Sequence, residues 1–591
     1  MKATDIVGKF LIWRVRHISE RNFVLILSGI VGCLSGLAAV ILKVTVHYID
    51  GFLTENQRLW GNISYFAIFP PIGLLLTYLI ARYLFKEKLG HGVTNILYAI
   101  SKGSSRLKKR TMFSRVVTSA VTVGFGGSVG LEAPIVVTGS AIGSNVGQRM
   151  HLNYKKRTLL IGCGAAGAIA GIFNSPIAGL IFAIEVILSE ISIRKFIPLL
   201  IASVCGSIMS LIFLGEDILF HFKATEPFTA EYIPHFIGLG VFCGFVAVYF
   251  TRTHYFIESR VQRIENKLKR VLIGGGLLSI LIVLLPPMYG EGYDVLKFLL
   301  ENEGDGMLSK TIFFSLDKTW MLIVFVLALI VFKAIASALT IGSGGSGGIF
   351  GPSLFIGGMS GYFFYKILNA IGLAQNISSN NFTLVGMCGV MSGVLHAPLT
   401  AIFLIAEITG GYTLFIPLMI VSAIAYTTIY YFEKNSMYTK NLIEQGDLIV
   451  DNKDRQVLSL LDRKRLIEKD FKTIHPDADL NDMVELIKVS HRHVFPVVNT
   501  DSELVGLISL DDIRGIMFDR EKHGNVPIKS IMRIPSVTIK HNDRMNVIMA
   551  KFEQSGAWNL PVTRDEIYIG FYSKSKIFND YRKRLIKQAE D

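Results

Sequence analysis

Charge is scarce in this chain. Of its 591 residues only 18% are Asp, Glu, Lys or Arg, where a soluble globular protein averages about 25%. That shortage excludes a water-soluble protein as the reading of the whole. Cysteine is scarcer still. Cys33, Cys163, Cys205, Cys243 and Cys388 stand singly in hydrophobic stretches. This excludes a disulfide framework and a paired-thiolate metal site, and leaves small buried hydrophobes. Acid is absent between Lys88 and Leu131, so that stretch carries basic charge alone.

What is present is long apolar sequence, with a mean hydropathy of +0.46. Residues 23–42, 196–215, 271–290 and 408–432 carry no charge, and from Thr319 to Tyr365 Lys333 is the only charge. A spanning helix needs about 20 apolar residues, so the chain reads as a polytopic helical membrane protein. The first stretch is too long and too late for a signal peptide and reads as a retained helix. Basic residues cluster at Lys2, Lys9, Arg14, Arg16 and Arg21, and again at Lys102, Arg106, Lys108, Lys109, Arg110 and Arg115. Two hydrophobic segments, about 23–47 and 64–85, separate the clusters, so both can face the cytoplasm. Membrane-flanking charge thus accounts for the formal +14 without a nucleic-acid partner. We expect cytoplasmic N- and C-termini and a place in the bacterial inner membrane.

The membrane part repeats itself. "GAIAGIFNSPIAGLIFAIE" (167–185) aligns without a gap on "GVMSGVLHAPLTAIFLIAE" (389–407), so that Pro176 and Glu185 fall on Pro398 and Glu407. Upstream, "GSVGLEAPIVVTGSAIG" (127–143) aligns on "GSGGIFGPSLFIGGMSG" (345–361). The two offsets, 222 and 218 residues, are nearly equal, as expected for a duplicated half. Duplicated halves are typical of transporters, whose substrate site lies near mid-membrane and is built from broken helices. Gly130–Pro134 and Gly348–Pro352 supply such breaks: glycine permits the unusual backbone and proline suits the first turn of the new helix. Each new helix then offers unpaired N–H groups and a positive dipole end. Two such ends facing each other want an anion. The other glycine pairs, Gly139/Gly143, Gly167/Gly171 and Gly389/Gly393, read as close helix packing.

Glu132 stands inside the first break. It is the only charge between Arg115 and Arg149, at the midpoint of 33 residues. An ionisable group at that depth is costly and is by default functional.

After about Glu433 the composition changes. Residues 450–591 are rich in charge and alternate short strands with amphipathic helices. "HVFPVVNTDSELVGLISLDDIR" (493–514) has a partner in "WNLPVTRDEIYIGFYSKSKIF" (558–578), pairing Pro496 with Pro561 and Ser509 with Ser573. The tail is a second, soluble α/β repeat.

These residues resemble the CLC family of chloride channels and chloride/proton antiporters, with a tandem CBS-domain tail. "GLEAP" (130–134), "GGIFGP" (347–352), "NSPIAGLIFAIE", "HAPLTAIFLIAE" and "NSMYTKNL" (435–442) carry the resemblance. It implies an all-α polytopic membrane protein with duplicated, inverted-repeat halves and broken helices, followed by a cytoplasmic α/β CBS pair. The implied domains are a cytoplasmic segment 1–22, a transport domain 23–445, a linker 446–464, and CBS units 465–520 and 526–585. Glu132 is implied as the gating glutamate, which competes with the anion and carries the proton. The implied anion site comprises Gly90, His91 and Gly92, through the His91 imidazole N–H or through backbone donors alone, the backbone of Gly130, Leu131 and Ala133 and of Gly348, Ile349 and Phe350, and the Tyr438 hydroxyl. In the tail, Ser509 and Asp512 in "GLISLDD" stand where the family can hold an adenine nucleotide, and packing without ligand is the equal alternative. Chloride and a proton are the implied partners, a homodimer the implied assembly, and no cofactor is required.

Three departures bear on mechanism. His91 replaces a serine of the central site, and Thr94 replaces a proline after it, which touches anion selectivity. Val186 stands where antiporters commonly carry an inner proton-route glutamate. Glu185 is next to it, but about 100° round the helix, and its repeat mate Glu407 suggests a structural role. Antiport is therefore favoured only slightly over a passive channel. A divalent-cation transporter would need several oxygen ligands, and one isolated Glu132 among N–H donors has the wrong sign. A serine protease using Ser128 or Ser346 would need a base within reach, and the duplication of these serines fits paired helix breaks better. His491 and His493 read as surface residues rather than metal ligands.

Overall fold

A computed structural model of the chain describes residues 3–55, 67–87, 92–101, 104–188, 193–215, 228–301, 319–373, 378–444, 458, 461–519 and 523–590. The chain divides into two compact units, Met1–Leu448 and Ile449–Asp591.

In the first unit, six described helices are long and apolar enough to cross a membrane. The first half contains α1 (Glu20–Glu55), α2 (Thr111–Gly124), α3 (Glu132–Arg149), α4 (Tyr154–Phe173), α5 (Pro176–Phe182) and α6 (Ile193–Leu214). The second half contains α7 (Ile233–Gln262), α8 (Tyr293–Glu301), α9 (Thr319–Gly342), α10 (Phe350–Ala370), α11 (Ser379–Leu395), α12 (Pro398–Ile408) and α13 (Phe415–Phe432). The repeat seen in the sequence sets these boundaries. Helices α2 and α9 end at the aligned Gly124 and Gly342, α3 and α10 begin at the aligned Glu132 and Phe350, and α5 and α12 begin at the aligned prolines. Two aligned left-handed residues, Asn174 (φ 53°) and His396 (φ 54°), end α4 and α11. Both residue types tolerate that conformation better than most.

The glycine pairs are close crossings. A methyl at Gly139 on α3 would lie 2.1 Å from the Gly164 carbonyl oxygen on α4, and one at aligned Gly357 lies 2.6 Å from that of Gly386. Only glycine lets these backbones touch.

The tail unit holds two structural repeats, each with its own apolar core. In the first, β1 (Val494–Val498) pairs antiparallel with β2 (Leu504–Ser509), and Ile474 bridges Val497 in parallel. In the second, β3 (Ile539–Lys540) runs parallel to β4 (Asn559–Arg564) through the equivalent pair Ile539 and Val562, and β4 pairs antiparallel with β5 (Ile567–Ser573).

Candidate functional site

The two breaks meet as equals. Gly130 N–H donates to the Gly348 carbonyl at 2.9 Å, and Gly348 N–H returns to the Gly130 carbonyl at 2.8 Å. Two residues upstream, Ser128 N–H donates to Thr340 Oγ1 at 3.2 Å, and Ser346 N–H donates to Thr122 Oγ1 at 3.0 Å. Each half therefore satisfies the unwound backbone of the other, which is what permits irregular chain at membrane depth. Gly130 and Gly348 thus serve partly as the clasp between the breaks.

Glu132 is the first residue of α3 and 1% exposed. Its Oε1 accepts the Tyr293 hydroxyl of α8, and the Gly351 N–H at the start of α10 faces the carboxylate. Its Oε2 has no hydrogen-bond partner among the described residues. The carboxylate of one half thus lies against the positive helix end of the other. Leu131, Ala133, Ile349 and Phe350 are all buried around it, with the Phe350 ring packed on Phe173 and Phe182. Tyr438 is 4% exposed and close enough to Glu132 to feel its charge. The Tyr438 carbonyl accepts the Thr94 hydroxyl at 3.0 Å, so the segment after His91 does reach the tyrosine. Gly92 is buried at the start of the helix Gly92–Ser101. Gly90 and His91 lie outside the described residues.

Glu185 is not free to shuttle protons. Its two oxygens accept the Leu399 and Thr400 N–H groups at 3.2 and 2.8 Å, and the Thr400 hydroxyl at 2.7 Å. Its mate Glu407 accepts the Ile177 and Ala178 N–H groups at 3.0 and 2.8 Å. Each glutamate caps the N-terminus of the other half's helix. The structural role suggested by their pairing in the sequence is the one the structure gives them. Val186 follows in a wider helical turn, Ala183–Leu188, and carries no proton.

Four residues escaped the sequence reading. Tyr293 binds Glu132; Glu291 Oε1 accepts the Leu131 N–H at 3.1 Å. Lys333, fully buried in α9, donates to the Gly290 carbonyl at 3.1 Å, and Lys43 Nζ is buried on α1. Lys333 had the same signal as Glu132, a lone charge in a spanning stretch, but its partners lie in a loop that only the fold brings near.

In the tail, Ser509 and Asp512 come together but are engaged. The Ser509 hydroxyl donates to Asp512 Oδ2 at 2.8 Å, and Asp512 Oδ1 pairs with Arg533 at 2.5 Å. Among the described residues no His, Cys, Asp and Glu group is arranged to hold a metal.

Residues 72–429, more than half of the sequence, match the voltage-gated chloride channel family. The chain belongs to that family. Residues 463–519 match the CBS domain. Among relatives, the H+/Cl− exchange transporter ClcA of Vibrio vulnificus is 26% identical over 437 residues, covering 71% of this chain and 88% of its own. A slow cyanobacterial Cl−/H+ antiporter shares the fold with a TM-score of 0.61 at 20% identity, over 72% of this chain and 98% of that one. A eukaryotic CLC transporter does so with a TM-score of 0.62 at 18% identity, over 94% and 99%. This is a multi-pass membrane protein of an ion-conducting family, not an enzyme. The serines that suggested a protease belong to the reciprocal ties between the breaks.

Proposed function

We propose that this protein exchanges chloride for protons across a membrane, with Glu132 as the carboxylate that both competes with the anion and carries the proton. The observation behind this reading is the placement of that carboxylate: buried, at the joint of two helix breaks, against the Gly351 N–H of α10, with one oxygen that has no hydrogen-bond partner among the described residues. Ionised, it is a tethered anion in an anion site. Protonated, it loses its attraction for the N–H groups and yields the place to chloride. Chloride would be held centrally by the N–H groups of Ile349 and Phe350 and the Tyr438 hydroxyl, and further out by those of Leu131 and Ala133; the Gly130 and Gly348 N–H groups, expected from the sequence to serve the anion, donate to each other's carbonyls instead. The Gly90–Gly92 segment would complete the central site. The named exchangers among its relatives agree with antiport.

A passive chloride channel is the second reading. It draws on Val186, and on a Glu185 whose oxygens are all occupied by α12, since neither offers an inner proton acceptor. Glu132→Gln separates the two. An antiporter loses proton movement and keeps chloride flux, and a wild type without coupled protons to lose is a channel.

The protein would act as a homodimer with one pathway per subunit, in the bacterial inner membrane with cytoplasmic termini. It would be organised as 1–22, 23–445, 446–464, 465–520 and 526–585. An adenine nucleotide at Ser509 and Asp512 would have to displace Arg533 from Asp512.

A further inference from the structure

The turn before α8 carries a second carboxylate to the same break. Glu291 lies between Gly290 (φ 61°) and Gly292 (φ 91°), left-handed positions that favour glycine and bend the chain tightly. Its Oε1 takes the Leu131 N–H at 3.1 Å. Leu131 directly precedes α3, so this donor belongs to the set that a broken helix leaves without an intrahelical partner. It is also a donor of the outer anion site proposed above.

The surroundings of Glu291 are built for negative charge. Lys333 is 0% exposed; its ammonium donates to the Gly290 carbonyl at 3.1 Å and lies 4.8 Å over the Phe355 ring. Lys43 Nζ is buried with no hydrogen-bond partner among the described residues. Lys43 from α1, Lys333 from α9 and Glu132 from α3 are the charged groups that act on Glu291. Two buried ammonium groups act on Glu291, and unpaired charge at this depth is expensive. A carboxylate that swings away leaves the cations and the N–H to whatever anion replaces it.

We propose that Glu291 is a second tethered carboxylate of the anion route, holding the Leu131 donor in place of a transported anion, with Lys333 and Lys43 supplying the charge for either occupant. This rests on the transport reading above. Removing the Glu132 charge alone then leaves Leu131 occupied, so the outer site opens fully only when Glu291 is removed as well.

The test is chloride titration calorimetry on the purified full-length protein, with chloride efflux from proteoliposomes, for wild type, Glu132→Gln, Glu291→Gln, Glu291→Ala and Glu132→Gln/Glu291→Ala. Glu291→Ala should bind chloride about tenfold more tightly than wild type, the factor carried by one hydrogen bond to a charged group. Glu291→Gln should gain less, because its amide oxygen still accepts the Leu131 N–H. The double variant should bind more chloride per chain than Glu132→Gln. Unchanged affinity and stoichiometry in the Glu291 variants, in both backgrounds, would overturn the proposal. Should Glu291→Ala not fold, Glu291→Gln and Lys333→Met decide. The first must tighten chloride binding and the second must weaken it, and silence in both refutes the idea. Wild type that moves chloride while these variants are silent removes this proposal alone. Wild type that neither binds nor moves chloride removes the transport reading and the proposal together.

Discussion

The two halves of the membrane unit share a scaffold and differ in chemistry. Where a contact is reciprocal, the aligned residues are conserved between halves: Thr122 and Thr340 each take the serine N–H of the other half, and Glu185 and Glu407 each cap the other's helix. Where the halves diverge, the candidate site appears. Glu132 aligns with Phe350, and the first turn of α3 gives a carboxylate where that of α10 gives a ring and the Gly351 N–H. Arg115 and Lys333 also align, and both are buried, so each half keeps one buried cation in the helix before its break. Reciprocal contacts here mark structure, and Glu132, which has no acidic counterpart in the second half, marks the ion route.

Beyond Glu132→Gln, the largest effect should come from the reciprocal caps. Glu185→Ala and Glu407→Ala should each destabilise the protein in detergent by about 1–3 kcal/mol, the cost of losing hydrogen bonds from helix-start N–H groups to a carboxylate, and by similar amounts. Thermal unfolding of the two variants checks this. A Glu185 variant of wild-type stability that lost proton coupling would make that glutamate a proton carrier and break the symmetry. Next are Gly139→Ala and Gly357→Ala, which should each cost about 1–3 kcal/mol by overpacking. Gly139, with the closer carbonyl, should cost more, read from the same melts.

The smallest effect belongs to the tail. Arg492 pairs with Asp470 at 2.7 Å and with Glu468 at 2.5 Å, and lies 4.6 Å over the Phe471 ring. Its hydrogen bond holds the Asp470 carboxyl below the usual range. A depressed carboxylate contributes stability above its unfolded value and loses it as pH falls. Arg492→Met should therefore speed amide exchange in the neighbouring strands modestly at neutral pH, with the difference from wild type shrinking in strong acid. A difference that grew in acid would reverse the sign.

Much of this was legible in the sequence. The helix starts at Glu132, Phe350, Pro176 and Pro398 follow from the repeat, because glycine and proline fix backbone geometry locally. Glu132 stood out because a lone charge in 33 residues has few explanations. Glu291 did not, since in a glycine-rich turn a carboxylate reads as solvent-facing until the fold sets it against Leu131, 160 residues away. Thr94 looked like a defect in the motif, and its hydroxyl instead ties its segment to Tyr438, 344 residues on. Contacts at such separations have no local signature.

The most direct test of the central claim is proton movement in proteoliposomes under an imposed chloride gradient, with the membrane voltage held near zero, for wild type and Glu132→Gln together. Chloride should drive protons uphill in wild type and move without them in Glu132→Gln. Coupled proton movement that survived in Glu132→Gln would contradict the account, because the proton would then travel by another group.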